Sequence, residues 1–370
     1  MPIVRLILIP IAKPMIGEEE KNAVLEVLES GQIAQGPKVA EFEASFALLC
    51  GVKYAVATSS GTTALYAALL AHGIGIGDEV ITTSFSFIAT ANSILYTGAT
   101  PIFVDIEEDS FNINPYLIEK SITSRTKAIV LVHLYGNPCD MVTILQIAHK
   151  HGLVIVEDAC QAHDASIKGK KVGSFGTGCF SFYPTKNMVT AEGGMVTTNS
   201  RRVAEKVRAF RAHGSHGRMH YYDSLGYNFR MSDIYAAIGL AQLQKLPQFT
   251  LKRIENAGYL TNYFRSLDVI KTPKVKDGSV HVFHQYTVRI KEHRDEVCRI
   301  LNQRKIGATI YYKVPIHCQP VYYRLGYRDS LPVTERVCGE VFSLPVYPNL
   351  THIELDKIGV GVLEACLKIA

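Results

Sequence analysis

Two stretches constrain this chain more than any others. Ala128–His133 (AIVLVH) and Leu153–Glu157 (LVIVE) are continuous apolar, β-branched runs, polar only at their last residue. A strand of that kind must be covered on both sides, as in a mostly parallel sheet sandwiched by helices. The intervening Ile144–Lys150 has helical spacing, and the same rhythm extends upstream. Tyr54–Ala57, Glu79–Thr82 and Pro101–Val104 read as strands, and Thr62–His72 and Ile88–Thr97 as helices. Strand and helix in alternation define an α/β domain. Two more helices precede it, Glu18–Glu29 before Gly31, with Val24, Leu25, Val27 and Leu28 on one stripe, and Val39–Cys50 before Gly51.

The rhythm changes near Leu246-Pro247. Beyond it lie a long helical pattern (Gln248–Leu267), short strands (Val282–Ile290), a helix (Arg294–Lys305) and proline-rich segments. A length of 370 residues accommodates two domains, and we place them at 1–247 and 248–370, the first including an N-terminal arm around Leu6-Ile7-Leu8-Ile9. That arm is too short for a membrane span and ends at Pro10. The eight cysteines contain no CxxC pair, which fits reduced thiols and a cytoplasmic setting. A net charge of +5 suits a small anionic ligand better than a nucleic-acid surface.

Three constellations carry chemistry. Ser59-Ser60-Gly61-Thr62-Thr63 lies between a strand and an apolar helix, where free N–H groups and the helix dipole make a cradle for phosphate. The same residues also read as an ordinary helix cap. Gly73-Ile-Gly75-Ile-Gly77 follows a helix and precedes a strand, the reverse of a dinucleotide fingerprint. Glu157-Asp158-Ala-Cys-Gln161 ends an apolar strand, where a parallel sheet presents its ligand crevice. Asp158 there is either a partner for a cationic nitrogen or a helix cap. Phe180-Ser181-Phe182-Tyr183-Pro184-Thr185-Lys186 sets a lysine among aromatic and hydroxyl groups, where desolvation frees its amine for a Schiff base; solvent exposure is the ordinary alternative. In this order, with an aromatic at Phe87, the parts match the needs of pyridoxal 5'-phosphate (PLP): anion cradle, stacking face, acid and lysine. The chain has no tryptophan, so the stacking face falls to Phe87.

At these residues the sequence resembles the DegT/DnrJ/EryC1/StrS family of PLP-dependent sugar aminotransferases. Matches run from Ile9–Pro14 and Ser30–Gly36 through Ser60–Leu65, Gly77–Ile81, Glu157–Gln161, Phe180–Lys186, Glu192–Gly194 and Gly226–Met231 to Leu344–Pro348. The resemblance implies the fold-type I PLP-dependent transferase fold with a smaller C-terminal α+β domain. It implies that Lys186 bonds the cofactor and shuttles the proton, that Asp158 pairs with the pyridine nitrogen and that Gln161 meets the ring's 3-oxygen. Phe87 would stack on the ring. Ser60, Gly61, Thr62 and Ser181 would hold the phosphate, together with Asn228 from the neighbouring subunit of a homodimer. A second reading makes Asn228 a helix cap. Tyr312, His317 and Arg230 are expected to border the substrate. Many relatives have His at the position of Tyr312 and Pro at that of Lys313, so this chain departs from the pattern there.

The activity implied is ping-pong transfer of an amino group from L-glutamate to a nucleotide-linked keto sugar, with Ser30–Val39 resembling members that aminate 4-keto-6-deoxy sugars. A 3-keto-sugar or inosose aminotransferase, or a PLP-binding regulatory protein without turnover, are the alternatives. No metal site is expected: His213, His216 and His220 read as a loop near the substrate entrance, and Asp105–Asp109 (DIEED) as a solvated acidic loop. Arg208, Arg211, Arg218 and Arg230 read either as anion contacts or as a solvated basic face.

Overall fold

The computed structural model describes residues 8–215, 220–222 and 224–369. Leu6 and Ile7 of the expected arm, and His216 and Arg218 of the histidine-rich loop, lie outside the described residues. Twelve strands occur among the described residues: β1 Tyr54–Thr58, β2 Glu79–Thr83, β3 Thr100–Val104, β4 Thr126–Val132, β5 Val154–Asp158, β6 Ser166–Ile167, β7 Lys170–Lys171, β8 Thr177–Ser181, β9 Gly194–Thr198, β10 Ser279–Val280, β11 Tyr286–Arg289 and β12 Val341–Leu344. Seven of them form one sheet in the order β1-β9-β8-β5-β4-β2-β3. Neighbours from β8 to β3 run parallel, whereas β9 is antiparallel to both β1 and β8. The carboxyl ends of β2, β5 and β8 bring Thr83, Asp158 and Ser181 to one edge of the sheet, where open α/β sheets bind ligands.

The two apolar runs are covered on both faces, as their pattern requires. After the helices α1, Glu18–Ser30, and α2, Pro37–Cys50, comes α3, Gly61–Ala71, beneath which Val130 and Val156 pack with Val56, Val80 and Val196 through Leu65 and Leu69. Ile129, Leu131 and Ile155 pack on the other face against Met141, Ile144 and Ala148. A third cluster interlocks Phe42 and Phe46 with Phe180 and Phe182, centroids 4.9 to 5.5 Å apart across the two segments, which anchors the strand that leads to Lys186.

Several local expectations change. The long helix begins at Asp233, not after Pro247, and runs to Phe264 with Pro247 inside it. An interior proline costs about 3 kcal/mol. Burial on both sides offsets this: Ala236 and Leu246 enter the Phe42 cluster, and Leu260 and Phe264 the C-terminal core. That second core also holds Tyr286, Val288, Phe342 and Leu344 of the β11–β12 pair. Ile9 is part of it too, bridged to Ile306, so the start of the described chain packs on the C-terminal unit. The stripe on Glu18–Ser30 is mostly open: Val27 is buried, but Leu25 and Leu28 are exposed in the single chain.

The acidic segment at Asp105 is not a solvated loop. Asp105 is buried, and its carboxylate accepts from Val333 N, Thr334 N and Thr334 Oγ1 at 2.7 to 2.9 Å, which caps the helix Pro332–Glu340 from across the fold. Glu108 pairs with Arg289 and Arg336, and these two guanidinium groups hold its carboxyl down at about 2, Arg336 contributing most. Arg211, expected on the surface or at an anion, is buried, bonded to Glu43 and donating to Ala57 O at 2.7 Å.

Candidate active site

At the carboxyl edge of the sheet lies a cavity of about 600 Å³. Its walls include every cofactor residue expected of a single chain: Ser60, Gly61 and Thr62; Phe87; Asp158 and Gln161; Ser181 and Lys186. Tyr312 closes it from the C-terminal unit.

Each wall has a local cause. Ser60 caps α3, its Oγ accepting from Thr63 N (3.2 Å) while Thr63 Oγ1 accepts from Ser60 N (3.0 Å), so the cap reading is correct. The anion reading is compatible with it, because the N–H groups of Gly61 and Thr62 belong to the first turn, which has no intrahelical acceptor. Gly61 is required by close approach: a Cβ there would lie 2.7 Å from Ser181 Cβ and 2.8 Å from Cys160 Sγ. Opposite it, Asp158 ends β5 and is buried. Its Oδ2 accepts from Thr90 Oγ1 at 2.7 Å and its Oδ1 from Cys160 N at 3.2 Å. No helix follows Asp158, which removes the capping alternative. The preceding Glu157 points to the other face, since side chains alternate along a strand. It accepts from Gly173 N, Phe175 N and Gly176 N at 2.7 to 2.8 Å and from His133 Nε2 at 3.2 Å.

Lys186 sits in a turn fixed by its own N–H to Tyr183 O at 2.9 Å. Burial pulls its amine below the ordinary 10.5, while Cys160 and Asp158 pull the other way. The lysine is therefore a desolvated amine facing a carboxylate and not a solvated surface group. Behind it, burial first and then the charges of Lys186 and Arg253 push His284 well below 6.5, so that imidazole is neutral. Gln161 has a fixed amide: Oε1 accepts from Tyr135 N (2.9 Å) and Nε2 donates to Tyr312 Oη (3.2 Å), leaving one Nε2 hydrogen for a ligand. Burial raises the Tyr312 hydroxyl above its ordinary range, so the phenol stays protonated.

Thr90 and Tyr135 were not anticipated. Thr90 lies three residues beyond Phe87, in the first turn of the helix α4, Ala89–Tyr96, and its N–H donates to Phe87 O at 3.1 Å. Tyr135 has no local signal. Its backbone is left-handed (φ 58°), held by the bond to Gln161 and by a hydroxyl bond to Tyr311 O.

Three expected residues do not line this cavity. Asn228 and Arg230 are exposed, and Arg230 Nε donates to Asn228 Oδ1 at 3.0 Å. Asn228 does not cap the next helix, because Ser232 does. His317 is buried, its ring nitrogens taken by Ser84 and Glu335. A second cleft of about 530 Å³ in the C-terminal unit is lined by Lys271, Arg289 and His293. Arg289 is already paired with Glu340 there, and the cleft offers no lysine–carboxylate arrangement of the first kind.

The cradle, the buried acid and the desolvated lysine fit PLP, and with the fold they define a PLP-dependent aminotransferase. Comparison with known proteins agrees. A family model for the DegT/DnrJ/EryC1/StrS aminotransferases matches residues 14–362, and the chain belongs to that family. It is 44% identical to the pleiotropic regulatory protein of Geobacillus stearothermophilus, with 92% of each chain covered. It is 40% identical to GDP-perosamine synthase of Caulobacter vibrioides, over 97% of this chain and 98% of the relative. It is 41% identical to UDP-N-acetyl-3-dehydro-alpha-D-glucosamine 3-aminotransferase of Acidithiobacillus ferrooxidans, over 93% of each. The crystal structure of S. venezuelae DesV in complex with a ketimine intermediate superposes with a TM-score of 0.91 at 38% identity, covering 94% of both chains. Among the described residues no helix is long and apolar enough to cross a membrane.

Proposed function

We propose that this enzyme transfers an amino group from L-glutamate to a nucleotide-linked keto sugar, one half-reaction at a time, and that the acceptor is a 4-keto-6-deoxy sugar. The observation that carries the chemistry is the single cavity in which desolvated Lys186 faces Asp158, itself held by Thr90, beside the open first turn of α3. Support for the sugar comes from GDP-perosamine synthase, a relative over nearly the whole chain. The 3-aminotransferase relative, at similar identity, favours amination at C3 as the second reading. The regulatory relative keeps binding without turnover in view as a third reading, which the response of the cofactor spectrum to glutamate separates from catalysis.

The residues divide the work as follows. Bound PLP supplies an electrophilic carbon and an electron sink. Lys186 Nζ attaches the cofactor at rest and, once displaced, moves the proton of the substrate carbon. Asp158, kept in place by Thr90 and Cys160 N, holds a proton on the ring nitrogen by charge. Gly61, Thr62, Ser60 and Ser181 bind the phosphate at the helix N-terminus. Phe87 and Tyr312 border the mouth, where they would flank the bound ring. Asn228 and Arg230, exposed and away from their own cavity, serve that of a second subunit in a homodimer. We assign cofactor binding to 1–247 and a closing role to 248–370, which supplies Tyr311 and Tyr312.

Incubation with glutamate and a panel of keto-sugar nucleotides, followed by mass analysis, tests the reading. The expected product gains an amine at C4. A product aminated at C3 selects the second reading, and a PLP spectrum that glutamate never changes overturns the aminotransferase mechanism.

A further inference from the structure

We propose that His317 is a positioning residue that sets the distance between the two aromatic walls of the cavity, Phe87 and Tyr312, without touching the ligand. His317 is only 3% exposed and lies in the turn Ile316–Cys318. Its backbone N–H donates to Ser84 Oγ at 2.9 Å, so the Ser84 hydroxyl proton is free for His317 Nδ1, 2.7 Å away. That assignment leaves the ring proton on Nε2, which donates to Glu335 Oε1 at 3.3 Å. Ile316 N donates in addition to Ser84 O at 2.9 Å. The turn is therefore stitched to one serine by two backbone donors and by the imidazole.

The position of that serine gives the stitch a consequence. Ser84 follows β2 directly and stands three residues before Phe87; Ile316 stands four residues after Tyr312. The Phe87 and Tyr312 rings face each other across the mouth with centroids 6.4 Å apart, tilted by 40°. Phe85, on the same segment as Phe87, packs edge-on against Tyr312 (6.4 Å, 85°) and Tyr135 (6.2 Å, 87°). Two short segments, 84–87 and 312–317, thus carry the two walls and are tied together at their far ends. Removing the imidazole leaves both backbone bonds to Ser84 in place but takes the acceptor from the Ser84 hydroxyl proton and the ring donor from Glu335 Oε1, so the segments loosen without losing their course. The sugar-binding consequence rests on the function proposed above; the wall spacing does not.

The absence of tryptophan supplies the test. Phe87→Trp makes a single-tryptophan protein whose emission reports on the wall without cofactor. In that background, His317→Ala is expected to raise the acrylamide quenching constant about twofold. Ser84→Ala is expected to do the same, and the double variant no more than either. His317→Asn, which keeps an acceptor near Nδ1, is expected to restore most of the protection. With Phe87 retained, His317→Ala is expected to raise KM for the keto sugar about tenfold more than KM for glutamate. Unchanged quenching, additive effects, or a parallel rise of both KM values with a lowered Tm overturns the proposal. If His317→Ala does not fold, Ser84→Ala and His317→Asn decide the matter alone. A wild-type enzyme that aminates no keto sugar defeats the proposed function, while the fluorescence comparison still judges the positioning role.

Discussion

Glu157 and Asp158 are adjacent carboxylates at the end of one strand, and replacing each by its amide should give opposite phenotypes. Both Glu157 oxygens are fully used: Oε1 takes the N–H groups of Phe175 and Gly176, and Oε2 takes Gly173 N and His133 Nε2. His133 cannot adapt by changing tautomer, because its Nδ1 accepts from Cys139 N at 3.0 Å. In Glu157→Gln one amide end keeps an acceptor and the other sets an NH2 group against two buried donors. Two lost bonds to a charged acceptor, at about 1.5–3 kcal/mol each, give roughly 3–6 kcal/mol. Asp158→Asn differs: its Thr90 hydroxyl can turn toward Ser86 Oγ, 2.8 Å away, and accept from the new amide. Stability should then fall by about 1 kcal/mol. The half-reaction with glutamate should slow by on the order of 10² to 10³, because the fixed charge opposite the ring nitrogen is gone. Urea midpoints of the cofactor-free proteins, at a common slope, measure the first effect, and stopped-flow absorbance measures the second. A Glu157→Gln protein within 1 kcal/mol of wild type would refute the argument that Glu157 is structural. A fast Asp158→Asn half-reaction would refute the electrostatic role of its neighbour.

Gly61→Ala should weaken PLP binding at least tenfold and cost about 1–3 kcal/mol of stability, since the new methyl meets Ser181 and Cys160; equilibrium dialysis and urea melts check both. The rate at which apo-enzyme captures PLP should rise with pH to a midpoint below 10.5, and Asp158→Asn should lower that midpoint further by removing a charge that favours the ammonium form. The sign for stability follows, because the unfolded lysine binds protons that the folded one has lost. Stability supplied by Lys186 is complete above 10.5 and falls as the pH drops toward the folded value, a slope that Lys186→Met should abolish. Subunits carrying Lys186→Ala mixed with subunits carrying Asn228→Ala should recover part of the activity if sites are shared; no recovery, with unchanged PLP affinity in Asn228→Ala, counts against the second-subunit role.

Much of the site was legible because its parts obey local rules. Ser60-Gly61-Thr62 is a capped helix start, Asp158 closes an apolar run, and Lys186 follows an aromatic strand end. Pairings between distant segments were not legible. The sequence 105–109 is acidic in composition, but what neutralises it comes from Lys274, Arg289 and the Pro332–Glu340 helix. Likewise Pro247 reads as a boundary by propensity, and burial on both sides carries the helix through it.

By itself, then, the sequence determined the layered α/β core and the capped helix start at Ser60, because periodicity and capping are short-range properties, while its ordered motifs carried the resemblance to the family and named the candidate cofactor residues. Tertiary structure alone decided how those groups are held. It placed Thr90 on Asp158, locked Gln161 between Tyr135 and Tyr312, sent Glu157 to the opposite face and enclosed His317 between Ser84 and Glu335. These contacts join residues up to 233 positions apart. A buried donor must find whichever acceptor the packed core brings near it, and that choice is made only when the chain has closed on itself.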